Sequence, residues 1–285
     1  MTPWSPNAMT RVAAVIGDPV THSLSPALHN AAFRDAGLNW VFSAFTVASG
    51  AASQALDAMR ALGIAGLSVT MPHKTDVAEA CDELTSDAAQ LQSVNCVSLT
   101  SDGRLLGDST DGAGFVASLR DAEVDPNGRS VALIGGGGAA RSVALALARA
   151  GASVVVTARR GEAAGVVAAL HPAIGTGEWA RRAELALESD IIVQCTPVGM
   201  LGDPSVPFDI AGLTARHCVA DLVYTPIETP LLRAAARAGA VVVDGLGMLI
   251  HQAALAFTTW TGVAPSVAVM RAAAMQELGQ RASNS

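Results

Sequence analysis

Aromatic side chains make up only 4% of these 285 residues and charged ones only 15%, and basic charge is in deficit, leaving a net charge of -7. An acidic chain offers no general surface to nucleic acid or to an acidic membrane, because both need a basic face. Any anionic ligand must then be held by local devices. The four cysteines, Cys81, Cys96, Cys195 and Cys218, lie far apart and form no CxxC pair. They read as reduced core residues of a cytosolic protein, without a disulfide framework. Six histidines include no HExxH, and His73 and His251 lack partners at ligand spacing, so no metal is expected; His73 reads as a loop donor. Residues 1–10 have no basic start followed by an apolar run, so they are expected to be neither signal nor anchor but a loose tail. Residues 36–56 and 246–270 carry no formal charge, but Ser, Thr, Asn, Gln, Gly and Pro interrupt both, against a membrane span. No period of 20 to 50 residues repeats, which removes solenoids.

What is there is apolar, 51% of the chain, with enough length for two domains each with its own core. The most informative stretch runs from Val131 to Arg141: a short apolar strand over 131–134, four glycines, and a helical pattern over 142–150 closed by Gly151. Strand, glycine turn and helix in succession form a dinucleotide-binding turn. Gly135 permits the tight turn, Gly137 lets the backbone approach a pyrophosphate, and Ala140 stands where helix and strand pack. Free amides at the helix start, with the dipole behind them, suit phosphate charge.

Upstream, a strand over 11–17 leads into a hydroxyl-rich loop, and Ser25-Pro26 reads as cap and first position of a helix running from 26 towards 36 and stopping at Gly37. A strand over 40–47, a helix over 51–62 and a strand over 64–69 continue a βαβαβ alternation, which implies a mostly parallel sheet. A helix from the Lys74 region to about 83 follows, then a connecting helix. Residues 93–99 and 104–109 flank Ser101-Asp-Gly103, a hairpin signal. A helix over 115–121 precedes Asp125-Pro-Asn-Gly128, a turn read as the linker into the glycine-motif domain. Further strands are expected near 153–157, 191–195, 218–222 and 241–244, with helices between. An apolar helix over 246–260 and an amphipathic helix over 266–279 close the chain. The last helix needs a partner, and the N-terminal sheet offers one, which makes that domain discontinuous in sequence.

Five segments together resemble the shikimate dehydrogenase family: Ser23-Leu-Ser-Pro26, Val69-Thr-Met-Pro-His-Lys74, Gly107-Asp-Ser-Thr-Asp-Gly112, Gly135-Gly-Gly-Gly-Ala139, and Gly245-Leu-Gly-Met-Leu249 with Gln252. Tyr224 and Thr229-Pro-Leu-Leu232 are also in place, and the match runs over almost the whole chain. The resemblance implies an α/β protein with a discontinuous substrate-binding catalytic domain, 1–111 and 246–285, and an NADP-binding Rossmann domain, 112–245, with the site in the cleft between them. It implies reversible reduction of 3-dehydroshikimate to shikimate by NADPH, in the cytoplasmic route to chorismate and the aromatic amino acids, by a monomer or homodimer.

Roles follow by motif position. Lys74 and Asp111 match the catalytic pair, with Lys74 as proton donor and Asp111 orienting it and balancing its charge. By itself Lys74 reads as a solvated lysine, yet a helix start opposes a cation and favours handing its proton to a ketone oxygen. Asp111 by itself reads as a helix cap before Gly112. Both readings of Asp111 are compatible. Asp108 reads as a side chain that orients neighbouring backbone.

Ser23 and Ser25, otherwise loop and cap hydroxyls, match serines that bind the substrate carboxylate. Thr70, Asn95 and Gln252 match residues that hydrogen-bond the ring hydroxyls; alone, Asn95 is an awkward buried amide and Gln252 a polar helix face. Tyr224 matches a tyrosine near the carboxylate. Two departures stand out, Ser68 and Gln194, each where the family usually has Asn. Ser68 shortens a ring-hydroxyl contact and opens the choice between shikimate, quinate and aminated analogues, whereas Gln194 lies beside the expected cofactor.

Cofactor choice is read after the strand that follows the glycine helix. There an NAD enzyme tends to carry an acid, whereas this chain has Ala158, Arg159 and Arg160, which suit a 2′-phosphate. The alternative for the arginine pair is plain surface. Arg141 adds charge nearby, and Gly136, Gly138, Ala139, Thr196, Gly245 and Met248 complete the cofactor residues the resemblance implies. A non-catalytic NADP-binding regulatory protein is the rival of another class, which the intact Lys74 and Asp111 oppose.

Overall fold

Alternating strands and helices lay the chain into two sheets, seen in a computed structural model that describes residues 5–283. The chain divides into two units: one runs through Thr110 and resumes at Ala253, the other is Asp111–Gln252. The first carries β1 (Arg11–Gly17), α1 (Ser25–Asp35), β2 (Trp40–Thr46), α2 (Ala52–Leu62), β3 (Gly66–Val69), α3 (Lys74–Ala80), β4 (Glu83–Leu84), α4 (Ser86–Leu91), β5 (Cys96–Leu99) and β6 (Leu105–Asp108). The second carries α5 (Asp111–Asp121), β7 (Ser130–Ile134), α6 (Gly138–Arg149), β8 (Ser153–Thr157), α7 (Gly161–Ala168), β9 (Ile174–Thr176), α8 (Arg182–Glu188), β10 (Ile191–Gln194), β11 (Cys218–Asp221), α9 (Pro230–Arg237) and β12 (Val241–Val243). Helix α10 (Gly245–Thr261) begins in the second unit and passes into the first, where α11 (Val267–Ser283) ends the described chain.

The second sheet is parallel throughout, in the order β12-β11-β10-β7-β8-β9. Its inner strands are covered on both faces, which is why β7, β10 and β11 are near-continuous apolar runs. In β7, Val131 and Leu133 join one core while Ala132 and Ile134 join the other. The strand order is that of a doubly wound dinucleotide-binding sheet, and its direction of winding reverses between β7 and β10. Ligands of such sheets sit at the carboxyl ends of the strands at that reversal.

The first sheet has the order β2-β1-β3-β5-β6-β4. The βαβαβ alternation produces three parallel strands, and the hairpin adds β5 antiparallel to β3 and β6 antiparallel to β5, so that β5 alone runs against the rest of the sheet. One face packs Ile16, Leu56, Met59, Leu67 and Val77. The last helix packs against α1, within the first unit, as its unpaired stripe requires.

Several local expectations change. The helix at Pro26 is capped by Leu24 in helical backbone, with Ser25 already inside the helix; the nearest hydroxyl is Ser23, whose Oγ accepts from Ser25 N at 3.2 Å. The helix expected from 115 begins four residues earlier, which puts Asp111 inside its first turn and not ahead of it. The turn at Asp125–Gly128 is no linker, because it lies within the second unit. The short strands β4 and β9 were not foreseen, and α3 stops at Ala80 before reaching 83. Of the tail, residues 1–4 lie outside the described residues, but 7–10 are not loose. Thr10 donates to Asn39 Oδ1 at 2.8 Å and accepts from Asn7 N at 2.8 Å. The uncharged stretches become β2 and α2, and α10 with the start of α11, and no helix among the described residues is long and apolar enough to cross a membrane.

His29 is fully buried in an aromatic cluster, stacked on Phe42 at 4.3 Å with Phe33, Phe257 and Trp260 around it. Among the described residues neither ring nitrogen has a hydrogen-bond partner. Burial therefore opposes protonation and lowers its pKa from 6.5 to about 3. Below pH 6.5 the unfolded chain takes up a proton that the folded chain refuses, so stability is full above 6.5 and falls as the pH drops towards 3. Burial of Asp221 acts in the opposite sense, raising its pKa to about 6 against the bonds from Val223 and Thr229. That contribution is lost as pH rises from the ordinary carboxylate value to about 6, and it masks the histidine in a plain pH scan. Comparison with His29→Leu isolates the histidine. The stability difference between the two proteins, from urea unfolding, is expected to be flat above pH 7 and to change by ~1.4 kcal/mol per pH unit between about pH 6 and 4. A difference independent of pH would show that His29 titrates normally.

Candidate active site

In the first unit the residues singled out from sequence gather at one end of the sheet. The loop after β1 carries Ser23 and Ser25, and the segment after β3 carries Thr70 and Lys74. Backbone bonds tie these segments together: Thr70 N to Ile16 O and Asp18 N to Met71 O, both 3.0 Å. Because β5 runs antiparallel to β3, its start lies at that same end, where Val69 N donates to Asn95 O at 2.8 Å and Val94 N to Lys74 O at 2.9 Å. Ser68, Thr70, Lys74 and Asn95 thus share one neighbourhood.

Asn95 is buried, but its amide is not an orphan. Its Nδ2 donates to Thr110 Oγ1 at 2.9 Å and its Oδ1 accepts from Thr110 N at 2.7 Å. The amide therefore fixes the backbone immediately before Asp111. Asp108 orients backbone as expected, accepting from Ser109 N at 2.8 Å and Thr85 Oγ1 at 2.6 Å. His73, fully buried, acts as a loop group through Nε2 and Val47 O at 2.7 Å, which anchors the turn from which Lys74 starts α3.

Lys74 is half-buried and is the only lysine among 18 basic residues, the other 17 being arginine. Arginine cannot release its proton in a protein, whereas lysine can. A chain that uses arginine everywhere else keeps its one lysine side chain at the head of α3. That count was available in the sequence and is the strongest signal the motif reading passed over.

In the second unit the glycine turn lies at the winding reversal. Gly135 has φ +127°, and a Cβ there would come 2.9 Å from Cys195 O and 3.1 Å from Cys195 Cβ, so the turn presses against the end of β10. At Gly137 and Gly138 an added Cβ would meet nothing within 4 Å among the described residues, which leaves the start of α6 open. That is the shape a pyrophosphate needs, with amides bare and the helix dipole behind them. Arg159 and Arg160 are exposed just after β8, beside buried Ala158, and Arg141 is half-buried in the first turn of α6.

Gln194 is fully buried and organises the facing loop: Nε2 donates to Thr196 O and Val198 O at 3.1 Å, and Oε1 accepts from Thr196 N at 2.9 Å. The departure at 194 is thus a loop brace that positions Thr196. Gly245 is a close-approach glycine, since a Cβ would fall 2.4 Å from Leu222 O; Met248, three residues on, is half-buried. Gln252 is buried, not on a polar face, and donates to Leu249 O at 2.9 Å. It lies over α5, where a Cβ on Gly114 would come 2.6 Å from Gln252 N, so the helix that starts at Asp111 and the helix of Gln252 touch backbone to backbone.

Sequence reading missed Asp221. It is buried, accepting from Val223 N at 3.0 Å and from Thr229 Oγ1 at 2.7 Å, while Thr229 caps α9 through Leu232 N. The loop between them carries Tyr224, half-buried and the only tyrosine in the chain.

Residues 15–97 match the family model for the shikimate dehydrogenase substrate binding domain, and residues 245–275 match that for the shikimate 5′-dehydrogenase C-terminal domain. Residues 130–219 match a third model, NADP oxidoreductase coenzyme F420-dependent, over the part of the second unit that holds the glycine turn. Over 290 residues the chain is 43% identical to the shikimate dehydrogenase (NADP+) of Methanopyrus kandleri, covering 96% of this chain and 98% of that one. The chain belongs to the shikimate dehydrogenase family. Among solved structures, a shikimate dehydrogenase in complex with NADP+ superposes with a TM-score of 0.89 at 36% identity, covering 96% of this chain and 97% of that one. A quinate dehydrogenase from Corynebacterium glutamicum in complex with NAD superposes with a TM-score of 0.87 at 32% identity, covering 94% and 99%. The fold expectation, a substrate-binding α/β part with a Rossmann-type part, is therefore met.

Proposed function

We propose that this chain is an NADP-dependent oxidoreductase that reversibly reduces 3-dehydroshikimate to shikimate, in the cytoplasmic pathway to chorismate and the aromatic amino acids. Family membership supports the reaction class, and the observation that carries the mechanism is the sole lysine at the head of α3. In the reducing direction Lys74 Nζ gives its proton to the carbonyl oxygen as that oxygen gains negative charge, and in the reverse direction it takes the hydroxyl proton. Asp111 holds the ammonium in register and balances its charge. Ser23 and Ser25 bind the substrate carboxylate with Tyr224 beside it, and Ser68, Thr70, Asn95 and Gln252 take the ring hydroxyls. We assign 1–111 with 246–285 to substrate and catalysis and 112–245 to cofactor, in a monomer or homodimer.

The open glycines fit a dinucleotide, so Gly135 to Ala139 with Arg141 would hold its pyrophosphate, Ala158 to Arg160 its 2′-phosphate, and Thr196, Gly245 and Met248 the remainder. When bound, NADPH supplies the hydride for the carbonyl carbon. Arg159→Ala is expected to raise the KM for NADP+ ~10- to 150-fold while leaving NAD+ use nearly unchanged, because a charge-assisted bond is worth ~1.5–3 kcal/mol. Equal losses for both cofactors would remove the arginine from the 2′-phosphate site.

Ser68 favours a second reading. A buried hydroxyl replaces a longer amide on β3, so quinate, or an aminated analogue of either acid, is the competing substrate. We expect shikimate to remain preferred, since Ser23, Ser25, Thr70, Asn95 and Gln252 are all present. Initial rates with shikimate and quinate, each with NADP+ and NAD+, test the proposal at the nicotinamide absorbance band. A higher kcat/KM for quinate would replace shikimate as substrate, and cofactor binding without turnover on any polyol would favour a regulatory protein.

A further inference from the structure

The loop of Ser23 and Ser25 receives support from a residue that no motif contains. Arg281, in the last turn of α11, donates from Nη1 to His22 O at 2.8 Å and from Nη2 to Ser23 O at 3.2 Å. Its Nε donates to Glu277 Oε1 at 2.9 Å, one helical turn back, which holds the guanidinium in plane. A rigid fork that takes the carbonyls of two consecutive peptide units fixes the dihedrals between them, and so the direction in which Ser23 leaves the backbone. Ser23 Oγ in turn accepts from Ser25 N, so the orientation passes to both serines.

Val20 and Leu24 are buried and anchor the loop's ends. Beside the stretch that includes Ser23, however, lies a cavity of about 460 Å³, lined by Val20, Thr21 and Ser23 of the loop and by Gln276, Glu277 and Arg281 of α11. Loop and helix both border this cavity, and Arg281, one of its lining residues, bonds the one to the other.

We propose that Arg281 is a positioning residue for substrate binding: it sets the geometry of the serine loop that receives the substrate carboxylate, without touching substrate itself. This rests on the reading of Ser23 and Ser25 as the carboxylate site. Arg281→Met keeps the aliphatic stem and removes both bonds, and it is expected to raise the KM for shikimate about tenfold, with kcat and the KM for NADP+ within twofold. A merely structural role would instead lower the melting temperature and the active fraction, moving apparent kcat and leaving KM in place. Arg281→Lys retains charge and one carbonyl bond and should recover part of the loss, at about two- to fivefold; it also serves if the methionine variant does not fold. Ser23→Ala separates the two layers, since an unchanged KM for shikimate there would overturn the carboxylate reading whatever Arg281 does. With Ser23→Ala raising KM, a folded Arg281→Met of normal KM would overturn the positioning role alone. The double variant is expected to bind shikimate within about twofold of Ser23→Ala, because the arginine acts through the serine, and full multiplication of the two effects would contradict that route.

Discussion

Replacing Lys74 with methionine is expected to lower kcat by ~10²–10⁴, the usual worth of general acid–base assistance, with cofactor affinity nearly unchanged. Methionine preserves length and apolar stem while deleting the ammonium. The turn that presents it is over-determined by His73 on Val47 O and by Val94 N on Lys74 O, so removing the charged head leaves the backbone in place. Asp111→Asn should also reduce kcat. Its effect should not multiply with the lysine's, because groups that act as a unit are non-additive. The checks are turnover at saturating shikimate, cofactor titration by fluorescence, and a melting curve to establish folding. A folded Lys74→Met enzyme of near-normal turnover would reduce the lysine to a surface charge.

The second large effect is expected at the glycine turn, where two neighbouring glycines should fail in different ways. Gly135→Ala places a methyl 2.9 Å from Cys195 O in a backbone with φ +127°, a conformation that costs a side chain ~1–3 kcal/mol before any clash. The turn and the end of β10 must separate, so both stability and cofactor affinity should drop, the latter by tenfold or more. Gly137 has φ -84° and open space around its missing Cβ. Gly137→Ala should therefore fold with an unchanged melting temperature, yet bind NADP(H) more weakly, because its methyl would occupy space needed by the pyrophosphate. Unchanged affinity in the folded Gly137→Ala protein would move the cofactor away from this turn.

The contrast between these sites marks what a sequence can disclose. The glycine turn was legible because strand, turn and helix are contiguous, and local chemistry alone dictates them. The alternation of strands and helices was legible for the same reason. Elsewhere local rules failed: serine caps helices well, yet Leu24 caps α1 while Ser23, one residue earlier, takes the amide of Ser25. Helix α5 starts at Asp111 and not at Phe115, because Gly112 and Gly114, which local propensity counts as breakers, are the positions where Ser142 and Gln252 approach. Asn95 reads as awkward, yet Thr110, fifteen residues on, bonds both ends of its amide. The Arg281 contacts span 259 and 258 residues and leave no pattern in the sequence.

The measurement that bears most directly on Lys74 uses its uniqueness. An amine-directed acylating reagent can modify only this side chain and the chain's amino terminus, and peptide mass mapping tells them apart. Loss of activity is expected to follow acylation of Lys74 one for one, to be slowed by saturating shikimate, and to be indifferent to acylation of the amino terminus. Complete acylation of Lys74 with turnover retained would contradict the account.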